Sequence, residues 1–232
     1  MRPSEHSRAL LAETVGTFMF FVIGAGSVVA DDLTGGAIGI TGIALAHGLA
    51  LAVAVSAFGA ISGGHFNPAV TLAVAVAGRH PRGRILTYWV AQSVGAVAAG
   101  LFLRYAFEAF PAAVDATRLG TPAVAAGVPV GTAIAIEAVL TVFLCWAVFG
   151  TAVSPNVPRI AGFGIGLAVT ADILVGGPLT GAAMNPARWL GPAVAALWFD
   201  NWYVYWIGPL LGGAIAGLSY RYLFASETQG PG

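Results

Sequence analysis

Ser62-Gly63-Gly64-His65-Phe66-Asn67-Pro68-Ala69 breaks an uncharged run that extends from residue 33 to residue 78. Gly181-Ala182-Ala183-Met184-Asn185-Pro186-Ala187-Arg188 interrupts the second half of the chain in the same manner. Asn is a favoured N-cap, and Pro suits the first helical position, where its missing N–H is not needed. Each stretch therefore ends one helix and starts another. The new helices are short: the first runs out near Ala77 and the second near Leu197. A bilayer crossing needs about 20 apolar residues, so each is half a span.

The rest of the 232 residues is what a membrane protein requires. Apolar side chains make up 58%, above the roughly 45–50% of soluble domains. The ten cations are all Arg, with no Lys, against ten acidic residues. There is no basic excess for nucleic acid. A charge near the bilayer centre is expensive, so spans should show as charge-free gaps. These fall at residues 14–30, 33–78, 85–103, 119–136, 138–158, 173–187 and 201–220. A two-domain soluble enzyme is excluded. Cys145 stands alone and forms no intrachain disulfide. The N-terminus, lacking a small-residue cleavage site, reads as an uncleaved first span.

Arginine parity decides what the short helices do. If residues 69–77 crossed the membrane, Arg79, Arg82 and Arg84 would face away from Arg2 and Arg8. A half-helix that enters and returns keeps all five together, as the positive-inside bias demands. The same treatment after Asn185 adds Arg159 and Arg221 to that side and leaves Asp31, Asp32, Glu108, Asp115 and Asp200 on the other. The expected fold is all-α and polytopic. Its spans lie near 9–30, 36–61, 84–107, 130–151, 160–176 and 203–224, with re-entrant halves near 67–77 and 185–197 and both termini cytoplasmic.

The halves repeat one another. Ala12-Glu13-Thr14-Val15-Gly16-Thr17-Phe18 answers Ile136-Glu137-Ala138-Val139-Leu140-Thr141-Val142, Asn67-Pro68-Ala69 answers Asn185-Pro186-Ala187, and Tyr88-Trp89 answers Tyr205-Trp206. Three spans per copy is odd, so the second copy, about 130–224, is inverted relative to the first, about 9–110, within one channel domain covering 1–232. Such repeats place a solute site at the midplane, where the broken helices meet.

At these residues the chain resembles the aquaporin (major intrinsic protein) family over roughly residues 9–224. The resemblance implies one pore per chain, a homotetramer in the lipid bilayer, water as the permeant, and neither cofactor nor metal. By physics alone, Asn67 and Asn185 cap the half-helices and keep NH2 donors for a passing solute. The two positive dipole ends oppose cations and protons. Gly63, Gly64, His65, Phe66, Gly181, Ala182 and Ala183 are non-helical at membrane depth, so their carbonyls should line a wet path. His65 is expected to act through its backbone, with its ring bonded structurally. Glu13 and Glu137 should accept hydrogen bonds from that buried backbone. Arg188 is an intramembrane charge and a functional candidate by default.

Carried over from the family, the narrow filter falls on His47, Ile173, Ala182 and Arg188. His47 replaces an aromatic ring, and Ile173 replaces the His of strictly water-selective members. This set resembles the plant tonoplast intrinsic proteins and their animal relatives that pass ammonia as well as water. Hydrogen peroxide is a further expected solute. Glycerol is disfavoured, because Trp189 rather than Asp follows Arg188 and Tyr205-Trp206 is present. Pro122 stands near a place where that branch can carry a further filter His. Asp172 has His47 or a loop as candidate partners, and Trp189 stands where a small residue is commoner. An enzyme would need a nucleophile–base pair or a ligand cluster such as His-Glu-x-x-His, absent here. A non-conducting scaffold would have no use for both asparagines and Arg188. Arg without Lys suggests a GC-rich bacterial genome and hence an inner membrane.

Overall fold

The computed structural model describes residues 3–154 and 160–224. Arg2 and Arg159, two of the arginines used for sidedness, lie outside them. The long helices are α1 (Glu5–Leu33), α2 (Gly39–Ser62), α4 (Ile85–Ala106), α6 (Val130–Val148), α7 (Ala161–Thr180) and α9 (Val204–Ser219), and the half-helices are α3 (Pro68–Val76) and α8 (Pro186–Ala196). Five segments are long and apolar enough to span by themselves. The sixth, α9, has 16 residues and is continued by a π-helical turn, Tyr220–Phe224. A similar turn, Phe149–Val153, continues α6.

The surface is inside out relative to a soluble protein. Leu49, Val53, Val90 and Val175 are all more than half exposed, whereas Glu13, Thr17, Gln92, Glu137 and Thr141 have no exposure at all. Apolar side chains facing outward are costless only in lipid.

Small residues set the crossings. A Cβ on Gly48 would strike the carbonyl of Gly166 and the Thr170 hydroxyl, so α2 and α7 touch backbone to backbone. Each half-helix packs on the last span of the other half, α3 on α9 and α8 on α4. Gly213 meets the Ala69 carbonyl and Gly217 that of Ala73, while Gly191 meets that of Ala96. The spacing Gly213/Gly217 thus receives a half-helix, while Gly95 receives the Thr14 carbonyl of α1.

One expectation needs correction. The fifth span, expected to end near residue 176, continues as α7 through Gly176-Gly177-Pro178 to Thr180. In lipid, helix is the surest way to satisfy the backbone. The glycines serve packing instead: a Cβ on Gly176 would strike Leu140, and one on Gly177 would lie 2.8 Å from Ile40. The loop between α4 and α6 holds a short helix, α5 (Pro111–Thr117), that the sequence reading did not place.

Candidate functional site

Ser62–Pro68 and Thr180–Pro186 adopt the same backbone. Gly63, Gly64 and Phe66 have φ of 94, 65 and 48°, and Gly181, Ala182 and Met184 have 80, 44 and 53°. Left-handed conformations cost non-glycine residues about 1–3 kcal/mol each unless the surroundings hold them. A buried carboxylate does so in each half. Glu13 accepts the N–H of His65 at 3.0 Å and of Phe66 at 2.7 Å, and Glu137 accepts those of Ala183 at 3.0 Å and Met184 at 2.7 Å. The hydroxyls of Ser62 and Thr180 donate to the same carboxylates, and the Tyr88 and Tyr205 hydroxyls donate to the Ser62 and Thr180 carbonyls.

The asparagines cap as their positions suggest, Asn67 accepting from Ala69 N–H and Asn185 from Ala187 and Arg188 N–H. Their NH2 groups are less free than expected. Asn67 Nδ2 donates to the Met184 carbonyl at 2.9 Å and Asn185 Nδ2 to that of Phe66 at 3.0 Å. One N–H of each amide therefore staples the two half-helices, leaving the other for a solute.

The repeat is broken around this core. In the first half, Gln92 Nε2 donates to Glu13 and to Thr71 Oγ1, and His65 Nδ1 lies 3.1 Å from that hydroxyl. Thr71 passes its own proton to the Asn67 carbonyl, so His65 is the donor. The corresponding residues of the second half are Ala183, Trp189 and Pro209. The Trp189 ring fills the place of the polar set and stacks on Tyr205, centroids 5.9 Å apart. This accounts for Trp189. Val70 and Arg188 are likewise counterparts, which puts a cation on one side only.

Arg188 is 4% exposed. Its Nε donates to His47 Nε2 at 3.1 Å and its Nη1 to the Gly120 carbonyl at 2.8 Å. His47 Nδ1 lies 2.9 Å from the Ile43 carbonyl, which can only accept, so the proton is on Nδ1 and Nε2 offers a lone pair to the arginine. Gly24 makes room for the imidazole, since a Cβ there would come within 2.5 Å of it. Gly120 has φ of 73° and abuts the Ala25 carbonyl, so the loop between α4 and α6 presents a backbone oxygen two residues before Pro122, near which an additional His was considered. Asp172 reaches neither expected partner: His47 is committed to Ile43 and Arg188, and Asp172 Oδ2 is buried without a hydrogen bond.

A narrow passage runs through these groups. It is lined by His47, Ile173, Ala182 and Arg188, by Gly64, His65, Asn67, Ala183 and Asn185, and by residues the sequence reading missed: Phe20, Leu51, Val70, Leu144, Val148, Ile165, Val169 and Met184. The volume open to the centre of a water molecule is about 20 Å³, close to the roughly 10–15 Å³ one water needs. A second cavity of about 580 Å³ shares His65 and Val148 with it and is lined also by Gly63 and Arg79. Phe66 and Gly181 line neither: the Phe66 carbonyl is taken by Asn185, and its ring lies against Gly16. Leu144 and Val148 share one face of α6 and Ile165 and Val169 one face of α7, a pattern legible only after those helices were placed; Phe20, Leu51, Val70 and Met184 come from four other segments.

The family model of the major intrinsic proteins matches residues 1–220. The chain belongs to the major intrinsic protein family. Relatives include Aquaporin TIP4-4 of Zea mays, 47% identical over 95% of this chain and 88% of its own, and Aquaporin TIP2-1 of Arabidopsis thaliana, 41% identical over 96% and 89%. The fold is that of the X-ray structure of the aquaglyceroporin from Plasmodium falciparum, with a TM-score of 0.85 at 23% identity over 94% of this chain and 96% of that one. This aquaporin is a multi-pass membrane channel.

Proposed function

We propose that this aquaporin conducts water together with small neutral solutes, ammonia and hydrogen peroxide among them, while excluding ions and protons. The observation that carries the reading is the His47–Arg188 pair lining, with Ile173 and Ala182, a passage whose open volume of about 20 Å³ is that of a water molecule or two. Two protein acceptors hold the guanidinium, so a fixed positive charge meets the solute and repels cations. The His47 imidazole and the Ile173 alkyl group make the opening mixed in polarity, which suits ammonia. Asn67 and Asn185, each with one N–H left, hold a solute where the positive ends of α3 and α8 converge.

The proposal extends to one channel domain of two inverted copies, about 9–110 and 130–224, to assembly as a homotetramer, and to both termini on the cytoplasmic side. Arginine without lysine favours a bacterial inner membrane. Stopped-flow swelling of proteoliposomes tests water, with osmotic permeability well above empty liposomes expected. An internal pH dye after an ammonium gradient tests ammonia. His47→Phe with Ile173→His should slow alkalinisation while water flow persists, and an unchanged rate overturns the ammonia filter.

A further inference from the structure

Trp189, Leu190, Phe199, Trp202 and Trp206 line a groove of about 530 Å³ on the outside of the helix bundle. Its depth follows from the half-helices. α8 starts where Asn185 touches the opposite half, and its 11 residues rise about 1.5 Å each, close to half the roughly 30 Å hydrocarbon core. Phe199 and Trp202, just past its end, therefore stand at the interface opposite the arginine-rich side. Trp206 reaches inward: its ring is 6.3 Å from that of Trp89, whose indole N–H donates to the carbonyl of Pro68, the first residue of α3. The groove is thus one leaflet long. It continues into the bilayer-facing surface through Ile207 and Leu211, each about half exposed.

Its chemistry is one-sided. The five lining side chains are uncharged, and the buried Trp189 Nε1 has no hydrogen-bond partner. The inner-leaflet counterparts of Trp189, Leu190, Phe199 and Trp202 are Thr71, Leu72, Pro81 and Arg84. The fold does not require an aromatic wall there, and only the outer half has one. We propose that this groove holds one acyl chain of a phospholipid from the outer leaflet. The rings of Trp189, Phe199, Trp202 and Trp206 offer apolar surface to methylene groups, whereas a charged occupant finds no ion-pair partner among the lining residues.

The test uses full-length protein reconstituted in palmitoyl-oleoyl-phosphatidylcholine vesicles, re-extracted in detergent and weighed by native mass spectrometry. One phospholipid retained per chain is expected. Leu190→Trp, which fills the groove, and Trp202→Ala, which removes a wall, should each lower retention at least tenfold. Leu72→Trp, at the inner counterpart, should leave it unchanged, with water permeability confirming that each variant is folded. Dibrominated chains in the same vesicles should quench wild-type tryptophan emission more than that of Trp206→Phe. No retained lipid, equal retention in the groove variants, or a groove-dependent gain of a second copy in place of lipid overturns the proposal.

Discussion

Arg188 and Glu137 illustrate how single residues in this chain depend on partners far away in sequence. The guanidinium is fixed by His47 and Gly120, and the carboxylate by backbone amides of the segment it holds in place. Replacing Glu137 by Ala leaves two buried N–H groups without an acceptor, each costing about 1–3 kcal/mol. We expect a large fall in melting temperature in detergent and loss of water permeability, with a smaller loss for Glu137→Gln, which keeps one acceptor oxygen. Cys145 is fully buried, so mercurials should leave osmotic permeability unchanged, whereas Ala182→Cys, in the passage wall, should be strongly inhibited. Inhibition of the parent chain would mean that Cys145 is reachable. Residue types made Glu13, Glu137, Asn67, Asn185 and Arg188 legible from sequence. The His47–Arg188 contact and the stacking of Trp189 on Tyr205 were not, because each joins residues on different helices.

At the scale of elements, the α2–α7 crossing is the joint that brings His47 opposite Ile173. Gly48 and Gly166 touch there. A Val at either position overpacks the contact by about 1–3 kcal/mol, and lower thermal stability with reduced water permeability should follow. The turn between α3 and α4 contains His80, whose ring lies 5.1 Å from that of His65. Burial, and then the neighbouring His65, holds its imidazole well below the ordinary range, at about 4. Because the unfolded chain takes up this proton near pH 6.5 and the folded one only near 4, stability should decline as pH falls through that window. His80→Phe should flatten the decline in thermal unfolding measured against pH, and an unaltered slope would remove His80 as its source. Helix starts after Asn67 and Asn185 were readable from capping chemistry. The continuation of α7 through Gly-Gly-Pro was not, because local propensity yields to the need to satisfy backbone in lipid.

For the whole molecule, the two halves share a skeleton and differ in what fills it. Reporter fusions or cysteine labelling should place both termini on the same side as Arg79, Arg82 and Arg84, and opposite placement would break the inverted arrangement. The sequence by itself determined the spans and the two half-helices, because charge burial and span length are local costs written along the chain. It also marked the paired asparagines and acids as belonging together, through the repeat. Only the tertiary structure decided that each asparagine staples the opposite half, that His47 and Gly120 hold Arg188, and that Val148, Val169 and Met184 share the passage wall. Those outcomes depend on how closely glycine-lined helices approach and on which lone pair then faces which donor. That distance is a property of the packed bundle, and no stretch of sequence contains it.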